Sequence, residues 1–108
     1  MAPTVEHDGD QTATINTEHT LATLSGAGTR VLAVDLSALA GGDLVVLRIK
    51  APVRSGGTQR EVYRASFSGP TAPGSTQSPP AVLPHGGVVT LQQTAGTPRT
   101  FPWAVYAL

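Results

Sequence analysis

Short runs of strand-forming residues, separated by Gly, Pro, Asp and Ser, constrain the fold of this chain most strongly. The best helical candidate, Leu36 to Ala40, is followed by Gly41-Gly42 and predicts at most one turn of helix. Runs of alternating apolar and polar residues recur along the rest of the chain, at a spacing typical of sandwiches and barrels. We therefore predict an all-β protein, an antiparallel β-sandwich or jelly-roll-like barrel of seven to eight short strands.

The clearest alternation lies in residues 43–54. Its predicted inward face consists of Val45, Leu47, Ile49, Ala51 and Val53, and its outward face consists of Arg48, Lys50 and Arg54. A Ser-Gly-Gly-Thr turn leads into a second run, residues 59–68, in which Tyr63, Ala65 and Phe67 are predicted to face inward. The two runs predict a hairpin with a basic outer surface, the basic hairpin, to which we assign Arg48, Lys50, Arg54, Arg60 and Arg64.

The last run, residues 100–108, is apolar on both faces and therefore predicts a central strand. We expect Trp103 to be largely buried, together with Phe101, Val105, Leu47, Ile49 and Phe67. Residues 69–80 are rich in Pro, Gly, Ser and Thr and carry no charge. That composition predicts a long loop.

The N-terminal residues 1–11 are acidic and polar, and include Glu6, Asp8 and Asp10. They lack the basic and apolar regions of a secretory signal, which indicates synthesis in a cytoplasm. We expect an extended acidic arm that does not join the core, followed by a single β-sandwich domain over residues 12–108, because the length suits one domain.

Residues that could carry chemistry are few. The chain has no cysteine, which excludes disulfides, thiolate nucleophiles and Cys-based zinc sites. His7, Asp8 and Asp10 form an H-D-x-D run that could ligate a metal, but no second cluster supplies the other ligands. Asp35 and Asp43 flank a turn and could form a carboxylate pair, but Asp at strand ends and turns is an ordinary structural residue. Nucleophile-elbow and phosphate-loop motifs are absent. We predict no catalytic, cofactor or metal site and no enzymatic activity.

The charges are balanced, seven basic and seven acidic, but unevenly distributed along the chain. A nucleic-acid-binding protein would carry a basic excess with interleaved aromatics, and a membrane helix would need about 20 apolar residues, so we expect neither partner. Candidate partner-binding residues are those of the basic hairpin and the acids Glu6, Asp8 and Asp10. The alternative is that the basic face only keeps the strands soluble and discourages edge pairing. Contact between unlike patches of neighbouring copies would be sensitive to salt.

Several strings resemble small proteins encoded in the structural gene clusters of tailed bacteriophages and prophages. They are Thr14 to Ala22, Val34 to Leu36 with Gly42-Asp43 and Leu47 to Ile49, Val53 to Thr58, Leu91 to Thr97, and Phe101 to Val105. The resemblance spans about residues 12–108 and rests on length, order and short strings, with no chemical motif whose residues could be carried over.

The resemblance implies a virion component made in the bacterial host cytoplasm, best matched by a head decoration (cement) protein on the capsid surface. Its expected partners are the major capsid protein and neighbouring copies of itself, with a trimer or dimer possible. Two alternatives stay open: a tail or neck component, and a surface module that binds carbohydrate or host. Sugar binding usually needs exposed aromatic rings, whereas Trp103, Phe101 and Phe67 lie on predicted core faces.

Overall fold

A computed structural model describes residues 3–69 and 74–108. These residues form nine strands and no helix. The strands are β1 (Thr4–Thr12), β2 (Glu18–Leu24), β3 (Gly28–Asp35), β4 (Leu44–Ala51), β5 (Arg60–Ser68), β6 (Ser75–Gln77), β7 (Ala81–Leu83), β8 (Gly87–Ala95) and β9 (Thr100–Ala107). The predicted all-β class is confirmed, and the strand count exceeds the prediction because β1 and β6 lie in segments predicted to be non-strand.

The strands form two antiparallel sheets that pack as a β-sandwich. The first sheet has the order β1-β9-β3, and β3 then pairs with β6 and β7 along different stretches. The second sheet has the order β2-β8-β4-β5. Both sheets contribute apolar side chains to one core, which includes Leu32, Val34, Phe101 and Val105 from the first and Val45, Leu47, Ile49, Val89 and Leu91 from the second.

The hairpin of β4 and β5 is confirmed. Leu47 lies opposite Ala65 and Ile49 opposite Tyr63, and the predicted inward residues of β4 are buried. The prediction for Val53 is wrong, because its side chain is 79% exposed. Strand β4 ends at Ala51, and the following Pro52 has no N–H with which to continue the ladder.

The predicted N-terminal arm is wrong as an arm, because residues 4–12 form an edge strand. Strand β1 pairs with β9 from Thr4 opposite Ala107 to Thr12 opposite Thr100, with a register shift between Val5 and His7. Most of its side chains are exposed, so it lacks the apolar alternation that identifies a half-buried strand. Backbone pairing with β9 therefore keeps β1 in the sheet, although its polar composition predicts a solvent-exposed, unpaired segment.

The predicted loop 69–80 is wrong at Ser75–Gln77, which forms β6 and pairs with Ala33–Asp35 of β3. The Ser78 hydroxyl accepts a hydrogen bond from the Leu32 backbone N–H at 3.0 Å, which anchors the end of this segment. Residues 70–73 of the predicted loop lie outside the described residues.

Trp103 is on the predicted face but is less buried than expected. Phe101 and Val105 are fully buried, as are Leu47 and Ile49, whereas Trp103 and Phe67 are only half-buried against the core. Trp103 pairs with Gly9 of the edge strand, and a Cβ added at Gly9 would lie 3.5 Å from the indole ring. The ring therefore covers a glycine near the margin of the sandwich, where fewer neighbours surround it.

A buried carboxylate joins two turns at one end of the sandwich. Asp43 accepts hydrogen bonds from the backbone N–H of Ala40 at 2.9 Å and of Thr97 at 3.0 Å, and from Nε of Arg99 at 2.8 Å. Gly96 has a φ of 92°, and a Cβ there would overlap the Asp43 carboxylate. The turn between β8 and β9 therefore requires glycine both for its backbone conformation and for its closeness to Asp43.

We expect Gly96→Ala to lower the free energy of unfolding by about 2 kcal/mol or more, because it adds backbone strain and displaces Asp43. Gly9→Ala is the matched control, because Gly9 has no positive φ and its Cβ would make an ordinary contact with Trp103. The control should stay within about 1 kcal/mol of the wild type. Denaturant unfolding measures both, and equal effects would contradict the role assigned to Gly96.

Candidate functional site

The outer face of the second sheet carries Arg48 and Lys50, as predicted, but both are engaged within the molecule. Arg48 Nε lies 2.8 Å from Glu61 Oε1, and Arg48 Nη1 donates to Gln92 Oε1 at 2.9 Å. Arg48 Nη1 also lies 3.7 Å from Glu18 Oε2. Cross-strand neighbours on β2, β8, β4 and β5 thus form one charged network on this face.

Glu18 is the acidic centre of this network. Its Oε2 lies 2.7 Å from Lys50 Nζ and accepts a hydrogen bond from the Thr90 hydroxyl at 2.7 Å. The hydrogen bond from Lys50, and then that from Thr90, lower the pKa of Glu18 below its ordinary value. Thr90 and Val46, on the outer face, are both buried, so the side chains around them lie flat on the sheet. Arg48 and Lys50 are therefore structural, and are not cations left open for an acidic partner.

Glu6, predicted to bind a partner, contacts Arg30 of β3 instead. Arg30 Nε lies 3.0 Å from Glu6 Oε1, and Arg30 Nη2 donates to Glu6 Oε2 at 3.1 Å. The Arg30 guanidinium also donates to the backbone carbonyls of Ser25 and Gly26, each at 3.0 Å. Only 4% of Arg30 is exposed. The sequence signal was present, because Arg30 shares the inward side of β3 with Leu32 and Val34, and a buried arginine needs a carboxylate.

Asp35 and Asp43 do not form a carboxylate pair. Hydrogen bonding from the Ser37 side chain, and then from the Ser37 backbone N–H at 2.9 Å, lowers the pKa of Asp35. Hydrogen bonding from the Ala40 N–H contributes most to lowering the pKa of Asp43, and Arg99 and Thr97 add to it despite the opposing effect of burial. Neither carboxylate has the raised pKa of a general acid at neutral pH.

The remaining charges separate by sign. Four of the seven acids and four of the seven bases form the ion pairs of the described residues, which include every charged side chain. The acids without a cation partner are Asp8, Asp10 and Asp35, all in the first sheet. The bases without a carboxylate partner are Arg54, Arg60 and Arg64, all in the β4–β5 hairpin. We call these six residues the unpaired charges.

The histidines and acids do not assemble into a metal centre in the described part of the chain. His7 is exposed on β1, and Nε2 of His19 accepts a hydrogen bond from the Thr14 backbone N–H at 3.0 Å. Residues 3–69 and 74–108 contain no group of three or more His, Asp or Glu side chains that could hold a metal ion. Nor do they contain a helix long and apolar enough to cross a membrane.

Sequence reasoning missed the outer face of the first sheet. It carries apolar residues from four strands, which are Val5, Val31, Ala33, Val82, Pro102, Ala104 and Tyr106, and Leu108 continues it beyond β9. Pro3, Val31, Gln77, Tyr106 and Leu108 line a shallow depression on it. A second depression lies over Ala33 and Ala104. We call this surface the apolar face; none of the described elements covers it.

The signal for the apolar face was the two-sided hydropathy of the last strand. Apolar residues on both sides predict a central strand, and β9 does lie between β1 and β3. A second layer covers only one side of it, where Phe101 and Val105 are buried. The other side, with Pro102 and Tyr106, remains accessible. Hydropathy alone does not distinguish a strand covered on both sides from one that leaves an apolar side open.

Comparison of the chain with protein-family models, with curated proteins and with solved structures finds no match.

We expect Glu6→Gln to lower the free energy of unfolding by about 2 kcal/mol, because buried Arg30 loses its ionic partner. Asp8→Asn removes a carboxylate from the same strand that has no cation partner, and it should change stability by less than about 0.5 kcal/mol. Urea unfolding at neutral pH measures both variants. Equal stabilities would mean that the contact between β1 and Arg30 contributes nothing.

Asp43 should make stability depend on pH in the acid range. Because its folded-state pKa lies below the unfolded value, its contribution is present at pH values above the unfolded pKa. That contribution is lost as pH falls through the folded pKa. The difference in unfolding free energy between wild type and Asp43→Asn should therefore be largest at neutral pH and shrink in acid. A constant difference from neutral pH to below pH ~3 would contradict this account.

Proposed function

We propose that this chain is a non-enzymatic structural protein of a tailed-phage virion, a capsid decoration protein that binds the lattice of the major capsid protein and stabilises the head. The apolar face carries the proposal. A sheet that leaves one apolar side open is suited to rest against a larger surface, because burial of that side is favourable. The resemblance in sequence strings supports the virion setting.

The chemistry of the apolar face suits adhesion more than catalysis. Val82 is 75% exposed and Leu108 is 51% exposed, and Tyr106 lies between them and the small residues Ala33 and Ala104. Small and β-branched side chains make a flat surface with few rotamers to immobilise on contact. Asp8, Asp10 and Asp35 lie towards one end of the same outer side, so the partner should be mostly apolar, with polar or basic groups beside that end.

The size of the apolar face favours a repetitive partner. The outer side of the first sheet, four strands wide and eight residues long, covers about 500 Å², and the apolar face is the part of it that excludes Asp8, Asp10 and Asp35. A stable one-to-one complex usually buries about 800 Å² on each partner, so a single contact here would be weak. Many copies bound to one lattice gain avidity, particularly when they also contact each other. A shell or tube is therefore a better partner than a single soluble protein.

A tail or neck component is the second candidate, because tail tubes and neck rings also present repeated surfaces. The carbohydrate-binding alternative gains no support from the aromatic residues. Trp103, Tyr63 and Phe67 are half-buried against the core, which leaves Tyr106 on the apolar face as the aromatic ring placed for stacking.

The test is binding of purified protein to heads and to tails of the phage that encodes it, each prepared without this chain. We expect saturable binding to heads that persists at high salt, because the contact is apolar. Val82→Glu and Ala104→Arg should each reduce occupancy at least about tenfold. Val53→Glu is the matched control, because Val53 is as exposed as Val82 but lies on the β4–β5 hairpin. It should bind like wild type.

Each result of this assay decides one point. Binding to tails alone would replace the head by the tail or neck. Equal binding by Val82→Glu, Ala104→Arg and wild type would exclude the apolar face as the attachment surface. Binding to neither particle would overturn the virion proposal. Thermal unfolding of every variant confirms that a loss of binding is not a loss of fold.

A further inference from the structure

Each sheet of the sandwich ends in a long edge strand with accessible side chains. Strand β1 ends the first sheet and β5 ends the second, and each has nine residues. Neither pairs with a further strand of the described chain on its outer side. Most side chains of β1 and β5 are exposed. An edge of this length offers a row of backbone donors and acceptors to another strand.

The two edges carry unpaired charges of opposite sign. Asp8 and Asp10 on β1 have no cation partner, and Arg60 and Arg64 on β5 have no carboxylate partner, among the described residues. Asp8 and Asp10 lie opposite Ala104 and Pro102 of β9 and so point to the outer side of the first sheet. Arg64 lies opposite Arg48 and points to the outer side of the second sheet, whereas Arg60 lies opposite Ala51, beyond a register shift, and points to the other side.

We propose that strand β1 of one copy pairs along strand β5 of a second copy, with Asp8 and Asp10 beside Arg64 and with Arg60 adding positive charge at the start of the same edge strand. The backbone pairing extends the first sheet of one molecule into the second sheet of its neighbour. This is strand addition at an exposed edge, in which main-chain hydrogen bonds supply adhesion and side chains select the partner. The occupant of each edge is a second copy of this chain.

Charge selects the pairing of β1 with β5 over the pairing of either edge with its own copy. Pairing of two β1 edges would place Asp8 and Asp10 of one copy beside Asp8 and Asp10 of the other. Pairing of two β5 edges would place the arginines of one copy beside those of the other. Like charges directly opposed in a ladder are unfavourable, and unlike charges are favourable. The charged side chains that disfavour pairing of two β1 edges, or of two β5 edges, are therefore the ones that favour pairing of β1 with β5.

The charge inventory of the whole chain agrees with a self-complementary contact. After the internal ion pairs, three acids and three bases remain, and the net charge is zero. A surface made for an external acidic partner would need only the arginines. Unpaired charges of both signs, in equal number and in different sheets, favour association between copies of the same chain.

The contact is heterologous, because β1 and β5 are different surfaces. Each bound copy therefore presents an open edge to the next, and the series closes as a ring or continues as a filament, depending on the rotation between copies. Pairing of β1 with β5 extends the sheet at its edge and does not cover its outer side. Edge-to-edge association of copies therefore leaves the apolar face accessible. The inference does not rest on the proposed function, since self-association needs no lattice.

The experiment measures the mass of the full-length chain by analytical ultracentrifugation over a concentration series at low and at high salt. Wild type should exceed the monomer mass of 11.1 kDa at low salt and approach it at high salt. Two charge-reversed variants test the edges, Asp8→Lys with Asp10→Lys and Arg60→Glu with Arg64→Glu. Each alone should be monomeric, because both of its edges then carry the same sign.

The decisive measurement uses a mixture of the two charge-reversed variants. In an equimolar mixture of the two variants, the basic β1 edge of one meets the acidic β5 edge of the other, and association should return. A chain with all four substitutions should also associate. Thr20→Lys with Thr23→Lys is the control, since it adds positive charge to the exposed face of a different edge strand, β2, and should behave like wild type.

Wild type that stays monomeric at low salt and high concentration would overturn the proposal, as would a mixture that fails to associate. If a reversed variant does not fold, as judged by its thermal transition, Asp8→Asn with Asp10→Asn replaces it and should weaken association about tenfold. Because no particles are present, these results are independent of the head-binding assay. A monomeric protein that binds heads would refute only the edge contact, and an associating protein that ignores heads would refute only the proposed function.

Discussion

The position of β9 between β1 and β3 is the constraint on which both surfaces of the first sheet depend. Through its backbone, β9 holds β1, a strand with almost no apolar side chains to bury. Its inward residues Phe101 and Val105 complete the core, and its outward residues help to form the apolar face. One strand thus joins a core, an open face and a polar edge, and displacement of β9 would disturb all three.

The internal ion pairs decide which charges remain for other molecules. Glu18 engages Arg48 and Lys50, Glu6 engages Arg30, and Asp43 engages Arg99. These contacts engage Arg48 and Lys50 on the outer face of the second sheet and connect turns and strands that are distant in sequence. Asp8 and Asp10 of β1, and Arg60 and Arg64 of β5, stay outside this set, which gives the unpaired charges of each edge strand one sign.

The sequence predicts strands correctly where buried and exposed residues alternate with the period of a strand. It does not predict a strand whose position depends only on backbone pairing with a neighbour. Val45, Leu47 and Ile49 alternate with charged residues, so the β4–β5 hairpin and its inner face were predictable. The acidic β1 has no such alternation, and its place is set by a neighbour about ninety residues away along the chain. The basic residues were found, but their internal partners were not, because ion pairs across strands depend on register.

The two proposed contacts differ in physical character, which suits successive steps of assembly on a shell. An edge contact built from backbone pairing and exposed charges selects its partner, forms quickly through electrostatic steering and weakens with salt. An apolar contact is less selective but persists in salt, and it strengthens with the number of linked copies. Linking copies through β1 and β5 would place their apolar faces in a fixed relative orientation. Attachment would then be strong only where a repeating surface matches that orientation, so a face of less than about 500 Å² would distinguish a lattice from isolated proteins.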